Sequence, residues 1–161
     1  MSDDAAQTSK WAIGEVIFGF PLLFSIALQF LLPFSLPRGI LSLVLIPTGI
    51  ILVILGIWII SLARREFSAF NQPTDPGQAT GKIIKTSVFA VSRNPLYLGA
   101  VLVVLGFTLA FNFLWGIFML LISMILCHHV LILPEEQYLA KKFGDEYVQY
   151  QASVHRWVGR K

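Results

Sequence analysis

Residues 39–62 read GILSLVLIPTGIILVILGIWIISL and contain no charged side chain. A transmembrane α-helix needs about 20 predominantly apolar residues, so this stretch is long enough to cross a bilayer. Over the whole chain, 56% of the 161 residues are hydrophobic and 13% are charged. Soluble domains carry about 25% charged residues, roughly twice that share. The sequence therefore predicts an integral membrane protein.

Three further apolar runs flank this stretch. Residues 11–32 precede it and contain one charge, Glu15, close to one end. Residues 96–111 and 113–133 follow it, and we expect them to form a helical hairpin that turns near Asn112. The prediction is an all-α polytopic bundle with about four transmembrane helices, built as one membrane domain over residues 1–161.

The last part of the chain differs from the apolar runs. Across residues 134–151, large apolar or aromatic side chains recur at steps of three or four, at Leu139, Phe143, Tyr147 and Tyr150. This spacing is typical of one face of an amphipathic helix. We therefore predict a C-terminal amphipathic helix that lies along the interface or caps the bundle.

The distribution of charge predicts the orientation in the membrane. The net charge is +3, and basic residues gather between the second and third runs and after the fourth. Loops rich in Lys and Arg stay on the cytoplasmic side, so we expect both termini to be cytosolic, in a bacterial-type inner membrane. Because these residues flank apolar runs and form no separate basic surface, nucleic-acid binding is not expected.

The sequence offers little for metal binding. Cys127 is the single cysteine, which excludes an intrachain disulfide and a multi-cysteine metal site. His128 and His129 are adjacent, so on a helix their side chains point about 100° apart and suit one metal ion poorly. We expect no metal, and we interpret the two histidines as the cytosolic end of the fourth span.

Two polar clusters border the predicted hairpin. The segment RNPLYLG, residues 93–99, enters its first helix, and Glu135 and Glu136 leave its second helix. Because both ends of a hairpin lie on one side, the clusters should meet at the cytosolic face and form a polar pocket with a lipid-facing flank. Each feature also has a structural interpretation: a flanking charge at Arg93, a helix start at Pro95 and acids in a first helical turn.

The segment RNPLYLG resembles the R-H/N-P-x-Y-x-G motif of membrane methyltransferases, namely the isoprenylcysteine carboxyl methyltransferases and their relatives, the phospholipid N-methyltransferases. A second half of the signature is similar as well: EExxL at 135–139, FGxxYxxY at 143–150, then Val154 and Arg156. The resemblance covers roughly residues 82–157. Residues 11–62 match only as generic membrane helices, and we expect them to serve as two scaffold spans.

The resemblance implies S-adenosylmethionine as the cofactor, bound at the cytosolic end of the bundle. It implies that Arg93 and Glu136 are the catalytic residues, with Arg93 orienting Glu136 or the cofactor carboxylate. The residues that match the family's cofactor site are Ile83, Ile84, Phe89, Asn94, Pro95, Leu96, Tyr97 and Glu135.

The implied activity is methyl transfer to a lipophilic small molecule or a prenyl or acyl compound drawn from the bilayer. The closest match is carboxyl O-methylation of an isoprenylcysteine-like substrate. A carboxylate acceptor needs no general base, whereas an ammonium must first lose a proton. One departure concerns the substrate: Leu131 stands where the carboxyl methyltransferases carry an Arg that serves it.

Three alternatives remain open on the sequence. The first is a phospholipid N-methyltransferase. The second is an NADPH-dependent membrane reductase of the steroid-reductase type, whose C-terminal half is distantly similar. The third is a non-catalytic membrane subunit in which the polar clusters only mark the topology.

Overall fold

A computed structural model describes residues 14–37, 39–71 and 81–161 of the chain. The first residues of the predicted first span, 11–13, lie outside this part. The described residues form helices and no strand, which confirms the predicted all-α class. The six α-helices are α1 Gly14–Leu31, α2 Ile40–Ala69, α3 Pro95–Phe111, α4 Trp115–Leu126, α5 Leu133–Phe143 and α6 Asp145–Ser153.

The helix lengths agree with a membrane bundle. By length and composition, α1, α2 and the continuous helix Trp115–Phe143 are each able to cross a membrane. The third predicted span, residues 96–111, corresponds to α3, an apolar helix of 17 residues. At 1.5 Å per residue α3 measures about 26 Å, slightly less than the hydrocarbon core.

Helix α2 is longer than the sequence predicted. It continues beyond Leu62 to Ala69 and contains 30 residues, about 45 Å. Two side chains in the added turns have packing partners: Ala63 is fully buried, and Phe67 meets the ring of Phe89 edge-on at 5.3 Å. The helix therefore extends past the apolar run and supports the segment that leads into α3.

The predicted single amphipathic helix over residues 134–151 is wrong. A π-helical turn, Cys127–Ile132, carries α4 directly into α5, so the first half continues the fourth span. Proline lacks an amide N–H and crowds the carbonyl four residues earlier, and the wider turn just before Pro134 accommodates it. The second half is a separate helix, α6, because Gly144 has a φ of +54° and ends α5.

Helices α2 and α3 pack closely through glycines. A Cβ on Gly56 would lie 2.6 Å from the carbonyl oxygen of Gly99, and one on Gly49 would lie 2.5 Å from that of Gly106. The glycines are seven residues apart on both helices, so the antiparallel pair meets at two levels. Small residues permit such close approach where no hydrophobic effect drives helices together in lipid.

The remaining packing leaves α1 and α2 on different partners. Helix α1 packs mainly on α4, whereas α2 packs mainly on α3. At the far end, Asn112 ends α3 in a left-handed conformation with φ 55°, at the predicted turn of the hairpin. Its side chain accepts from the amide of Leu36 at 3.0 Å and donates to the same residue's carbonyl at 2.8 Å. These bonds fasten the α1–α2 connection to the hairpin.

Candidate functional site

The two polar clusters meet at one end of the bundle. The guanidinium of Arg93 donates to Oε1 of Glu136 at 2.7 Å. Arg156, from the C-terminal segment, donates to Oε1 at 2.9 Å and to Oε2 at 2.6 Å. Both oxygens of Glu136 are therefore engaged by two cations.

Because these three side chains are buried or partly buried, each charge depends on its partners for stability. The side chains of Arg93 and Glu136 are 7% and 10% exposed, and that of Arg156 is 31% exposed. A buried charge is costly unless it is paired and hydrogen-bonded. The hydrogen bond to Glu136 raises the pKa of Arg156 above its ordinary value. The carboxylate of Glu136, on α5, thus joins the segment just before α3 to the segment after α6. We call this group of three side chains the junction.

Backbone bonds complete the same junction. The amide of Arg93 donates to the carbonyl of His155 at 3.1 Å, and that of Gly159 donates to Val91 at 2.8 Å. The side-chain amide of Asn94 donates to the carbonyl of Arg156 at 3.0 Å. The segment after α6 is therefore fixed along residues 91–94, which holds Arg156 in position.

A narrow cleft of about 60 Å³ lies beside this junction. Seven of the ten residues predicted for the site line it, and they come from the segment before α3 and from the start of α5. The seven are Ile83, Ile84, Phe89, Arg93, Asn94, Glu135 and Glu136. The arrangement brings apolar, aromatic, amide and carboxylate groups to one place.

The other three predicted residues lie deeper in the bundle. Pro95 is fully buried at the first position of α3, where it starts the helix. Leu96 and Tyr97 line a second, larger cavity. The hydroxyl of Tyr97 donates to Oε2 of Glu135 across a long distance of 3.5 Å. Tyr97 therefore lies between the cleft and the cavity.

The larger cavity has a volume of about 400 Å³ and lies between α1, α2 and α3. Most of its lining is apolar, and two of the twelve lining residues are charged, Glu15 and Arg64. Its volume falls within the range of small-molecule pockets, about 300–1,000 Å³. It opens beside Glu15 and Arg64, whose side chains are mostly exposed.

The sequence prediction missed three residues of the junction and the cleft. The resemblance included Arg156, Tyr147 and Tyr150 in the second half of the signature, but it implied no role in the site for them. Both tyrosines line the cleft, and Tyr150 donates its hydroxyl to the carbonyl of Phe89 at 2.7 Å. Burial, together with the charge of Glu136, raises the pKa of Tyr147 to about 12, so its phenol stays neutral. The regular spacing of the tyrosines was an available signal.

Metal-type ligands do not gather in the part of the chain that the structure describes. No group of three or more His, Cys, Asp or Glu side chains there is arranged to hold an ion. The rings of His128 and His129 meet edge-on at 4.9 Å in the π-helical turn. Cys127 is fully buried.

Comparison with known proteins supplies the family. The model of the phospholipid methyltransferase family matches residues 44–146, well over half of the chain. An uncharacterized protein of Haemophilus influenzae is 35% identical over 63 residues, which make up 39% of this chain and 100% of that relative. No solved structure matches the chain. The family match includes most of α2, all of α3, α4 and α5, and most of the cleft, and on this basis the chain belongs to the phospholipid methyltransferase family of membrane proteins.

Proposed function

We propose that the chain transfers a methyl group from S-adenosylmethionine to a lipophilic acceptor at this end of the bundle. One observation carries the proposal: a polar cleft and an apolar cavity lie side by side, with Tyr97 lining the cavity and contacting Glu135 of the cleft. Methyl transfer needs the donor and acceptor to be aligned, and two adjacent chambers of opposite polarity provide that alignment.

The residues of the cleft suit the cofactor in kind. Glu135 offers a carboxylate for a ribose hydroxyl or an amino group, and no ion pair involves it within residues 14–37, 39–71 and 81–161. Ile83, Ile84 and Phe89 offer apolar and aromatic surface for an adenine ring. The volume of about 60 Å³ is well below that of typical ligand pockets, so binding requires the cleft to widen.

Arg93 and Glu136 suit a positioning role. Their side chains are bound to each other and to Arg156, which leaves both oxygens of Glu136 occupied. Through this junction they hold Asn94 and the start of α3 next to the cleft. We propose that they fix the shape of the cleft and that Asn94, Leu96 and Tyr97 face the ligands.

The chemistry of the transfer places few demands on side chains. When bound, the cofactor supplies a methyl group on a sulfonium, which an acceptor oxygen or nitrogen takes up while the carbon–sulfur bond breaks and its electron pair stays on sulfur. The role of the chain is to exclude water from this contact and to orient the acceptor. The buried start of α3 and the apolar cavity suit both tasks.

We propose a carboxylate as the acceptor group, because it needs no general base. A phospholipid amine is the second candidate, favoured by the family that matches the chain. Leu131 is 1% exposed in the hydrophobic core, so this position contributes no substrate contact. A carboxylate acceptor must therefore be recognised by another residue.

The decisive experiment is a transfer assay on detergent-purified protein with labelled methyl donor and total membrane lipid. Label that mild base releases as volatile methanol identifies a methyl ester, and label that stays non-volatile after base identifies a methylated amine. Calorimetry with S-adenosylhomocysteine, and separately with NADPH, tests the cofactor. Binding of NADPH without S-adenosylhomocysteine would favour a reductase, and binding of neither would favour a non-catalytic subunit.

We also propose that the cleft faces the cytosol and that both termini lie there. The argument is the positive-inside pattern, which concentrates Lys and Arg beside the cleft. Cysteine labelling with a membrane-impermeant reagent tests it. Ser153→Cys should be labelled from the cytosolic side, and Ser35→Cys, in the α1–α2 connection, from the opposite side.

A further inference from the structure

An ion pair between Glu15 and Arg64 lies at the mouth of the apolar cavity. Arg64 Nη2 lies 3.7 Å from Oε1 of Glu15, and their side chains are 61% and 72% exposed. Glu15 is the second residue of α1, and Arg64 lies in the part of α2 that extends beyond the predicted span. The pair therefore bridges the two helices that otherwise pack on different partners.

Charges at this place need an explanation. Ionisable side chains that face a cavity in a membrane bundle often mark a substrate pathway, with a partner close by, and both of these residues line the cavity. Here the partner is held loosely, because an exposed pair at 3.7 Å is weak and readily exchanged. By contrast, the other two arginines close to the site, Arg93 and Arg156, are committed to Glu136. Among the described residues that line the cavity, Arg64 is thus the cation available to a bound molecule.

We propose that Arg64 holds the anionic group of the acceptor and that Glu15 occupies Arg64 until the acceptor displaces it. This inference rests on the proposed function and adds the residue that recognises the acceptor. The ligand class is a single-chain lipophile whose head group carries a carboxylate or a phosphate. Its chain would lie along the apolar wall formed by α1 and α3, next to Phe18 and Val104.

The exchange also describes a route of entry. Breaking the Glu15–Arg64 pair removes the contact between α1 and α2 at the mouth, so a chain can enter from the bilayer between them. The anionic group then replaces the carboxylate of Glu15 at the guanidinium, which binds carboxylates and phosphates through paired hydrogen bonds. Tyr97 lines the same cavity and leads toward Glu135.

The test uses the full chain in a non-ionic detergent and three C16 probes that differ only at the head: hexadecanoate, hexadecyl phosphate and hexadecanol. Binding is followed by the rise in thermal stability with probe concentration. The variants are Arg64→Gln, Arg64→Lys and Glu15→Gln. The matched control is Arg65→Gln, because Arg65 is the next residue on α2 and lines an outer groove with Ile54 and Trp58.

Arg64→Gln should lower the affinity for at least one anionic probe by about tenfold or more, since a charge-assisted hydrogen bond is lost. The probe that responds distinguishes a carboxylate from a phosphate site. Hexadecanol should bind all variants equally, and Arg64→Lys should retain part of the affinity. Glu15→Gln should tighten anion binding, and this gain should vanish in the Glu15→Gln/Arg64→Gln double variant.

The proposal is overturned if Arg64→Gln and Arg65→Gln lower the affinity for the anionic probes equally. It is also overturned if Arg64→Gln lowers the affinity for hexadecanol as much as that for hexadecanoate. A Glu15→Gln variant that binds the anions more weakly also overturns it, because Glu15 would then be no competitor. Calorimetry with S-adenosylhomocysteine on the same proteins separates the two levels. Retained cofactor binding without an Arg64 effect rejects only this inference, and absent binding in the wild type rejects the proposed function.

Discussion

The hydroxyl of Tyr97 reaches Oε2 of Glu135 at 3.5 Å, although the two residues lie on different helices and line different cavities. Tyr97 is the third residue of α3, and Glu135 is the third residue of α5. This contact is the point at which an apolar chamber and a polar chamber adjoin. A methyl group that moves between them would have to pass close to it.

Removal of the Tyr97 hydroxyl should therefore reduce transfer more than stability. Tyr97→Phe keeps the ring that separates the chambers but loses the bond to Glu135. We expect kcat/KM for the methyl acceptor to fall by about threefold to tenfold, because a hydrogen bond as long as 3.5 Å contributes about 0.5–1.5 kcal/mol at most. The measurement is the labelled-methyl assay, with unfolding temperature recorded in parallel.

Tyr138→Phe provides the matched control. Tyr138 lies on α5 like Glu135, and its hydroxyl accepts from Lys142 at 2.9 Å on the exposed side of the helix. This variant should retain full transfer activity. Equal losses in both variants would contradict the assigned position of Tyr97 between the chambers.

Loss of Glu136 should destabilise the end of the bundle strongly. Glu136→Gln leaves Arg93 buried without a counter-charge, and breaking a buried pair in this way typically costs about 3–5 kcal/mol. Arg156→Gln should cost less, because that side chain is 31% exposed and Arg93 still neutralises the carboxylate. Thermal unfolding in detergent should rank Glu136→Gln well below Arg156→Gln.

The control for this ranking is Glu146→Gln, which removes a carboxylate from an exposed pair. Glu146 lies 2.9 Å from Lys85, and the side chains of Lys85 and Glu146 are 41% and 55% exposed. Its loss should change the unfolding free energy by about 1 kcal/mol or less. A comparable loss in Glu146→Gln and Glu136→Gln would show that the buried junction has no special importance.

The meeting of the two polar clusters was predictable from the sequence because a single helical hairpin connects them. A hairpin that turns at Asn112 must bring residues 93–99 and 135–136 to one side, and it does. The resemblance included Arg156 without a role, and its place as the third member of the junction could not be predicted. Its position depends on backbone bonds between residues 91–94 and 155–159, which leave no periodic pattern in the sequence.

The predicted boundaries of two helices were wrong for a related reason: they depend on contacts that are distant in the sequence. Apolar length predicts where a helix leaves lipid, and α2 continues past that point because Phe67 finds a partner in Phe89. Pro134 was interpreted as a helix start, whereas the π-helical turn before it keeps the helix continuous. The seven-residue spacing of glycines on both α2 and α3 was present in the sequence, and it would have predicted their close packing.

That glycine contact makes a sharp prediction about packing. Gly56→Ala would bring a methyl group within 2.6 Å of the Gly99 carbonyl, a backbone atom that cannot rotate away. Helices α2 and α3 would have to separate, at a cost of about 1–3 kcal/mol. Gly19→Ala should be tolerated, because no atom lies within 4 Å of a Cβ at that position. Unfolding temperatures of the two variants test this difference, and equal values would contradict it.

Filling the apolar cavity should impair the acceptor without affecting the binding of the cofactor. Gly19 lines the cavity on α1, and the open space at that position admits a larger side chain. Gly19→Leu should therefore leave the fold and the affinity for S-adenosylhomocysteine unchanged. It should lower methyl transfer to long-chain acceptors by about tenfold or more, because the leucine side chain occupies space that the acceptor's chain would fill.

Ala27→Leu adds a similar volume to an exposed position of the same helix outside the cavity and serves as the control. It should leave both transfer and cofactor affinity unchanged. If Gly19→Leu weakened S-adenosylhomocysteine as much as it slowed transfer, the two chambers would not be separate, and the cavity would belong to the cofactor. A loss confined to transfer would instead assign the space between α1, α2 and α3 to the lipophilic acceptor.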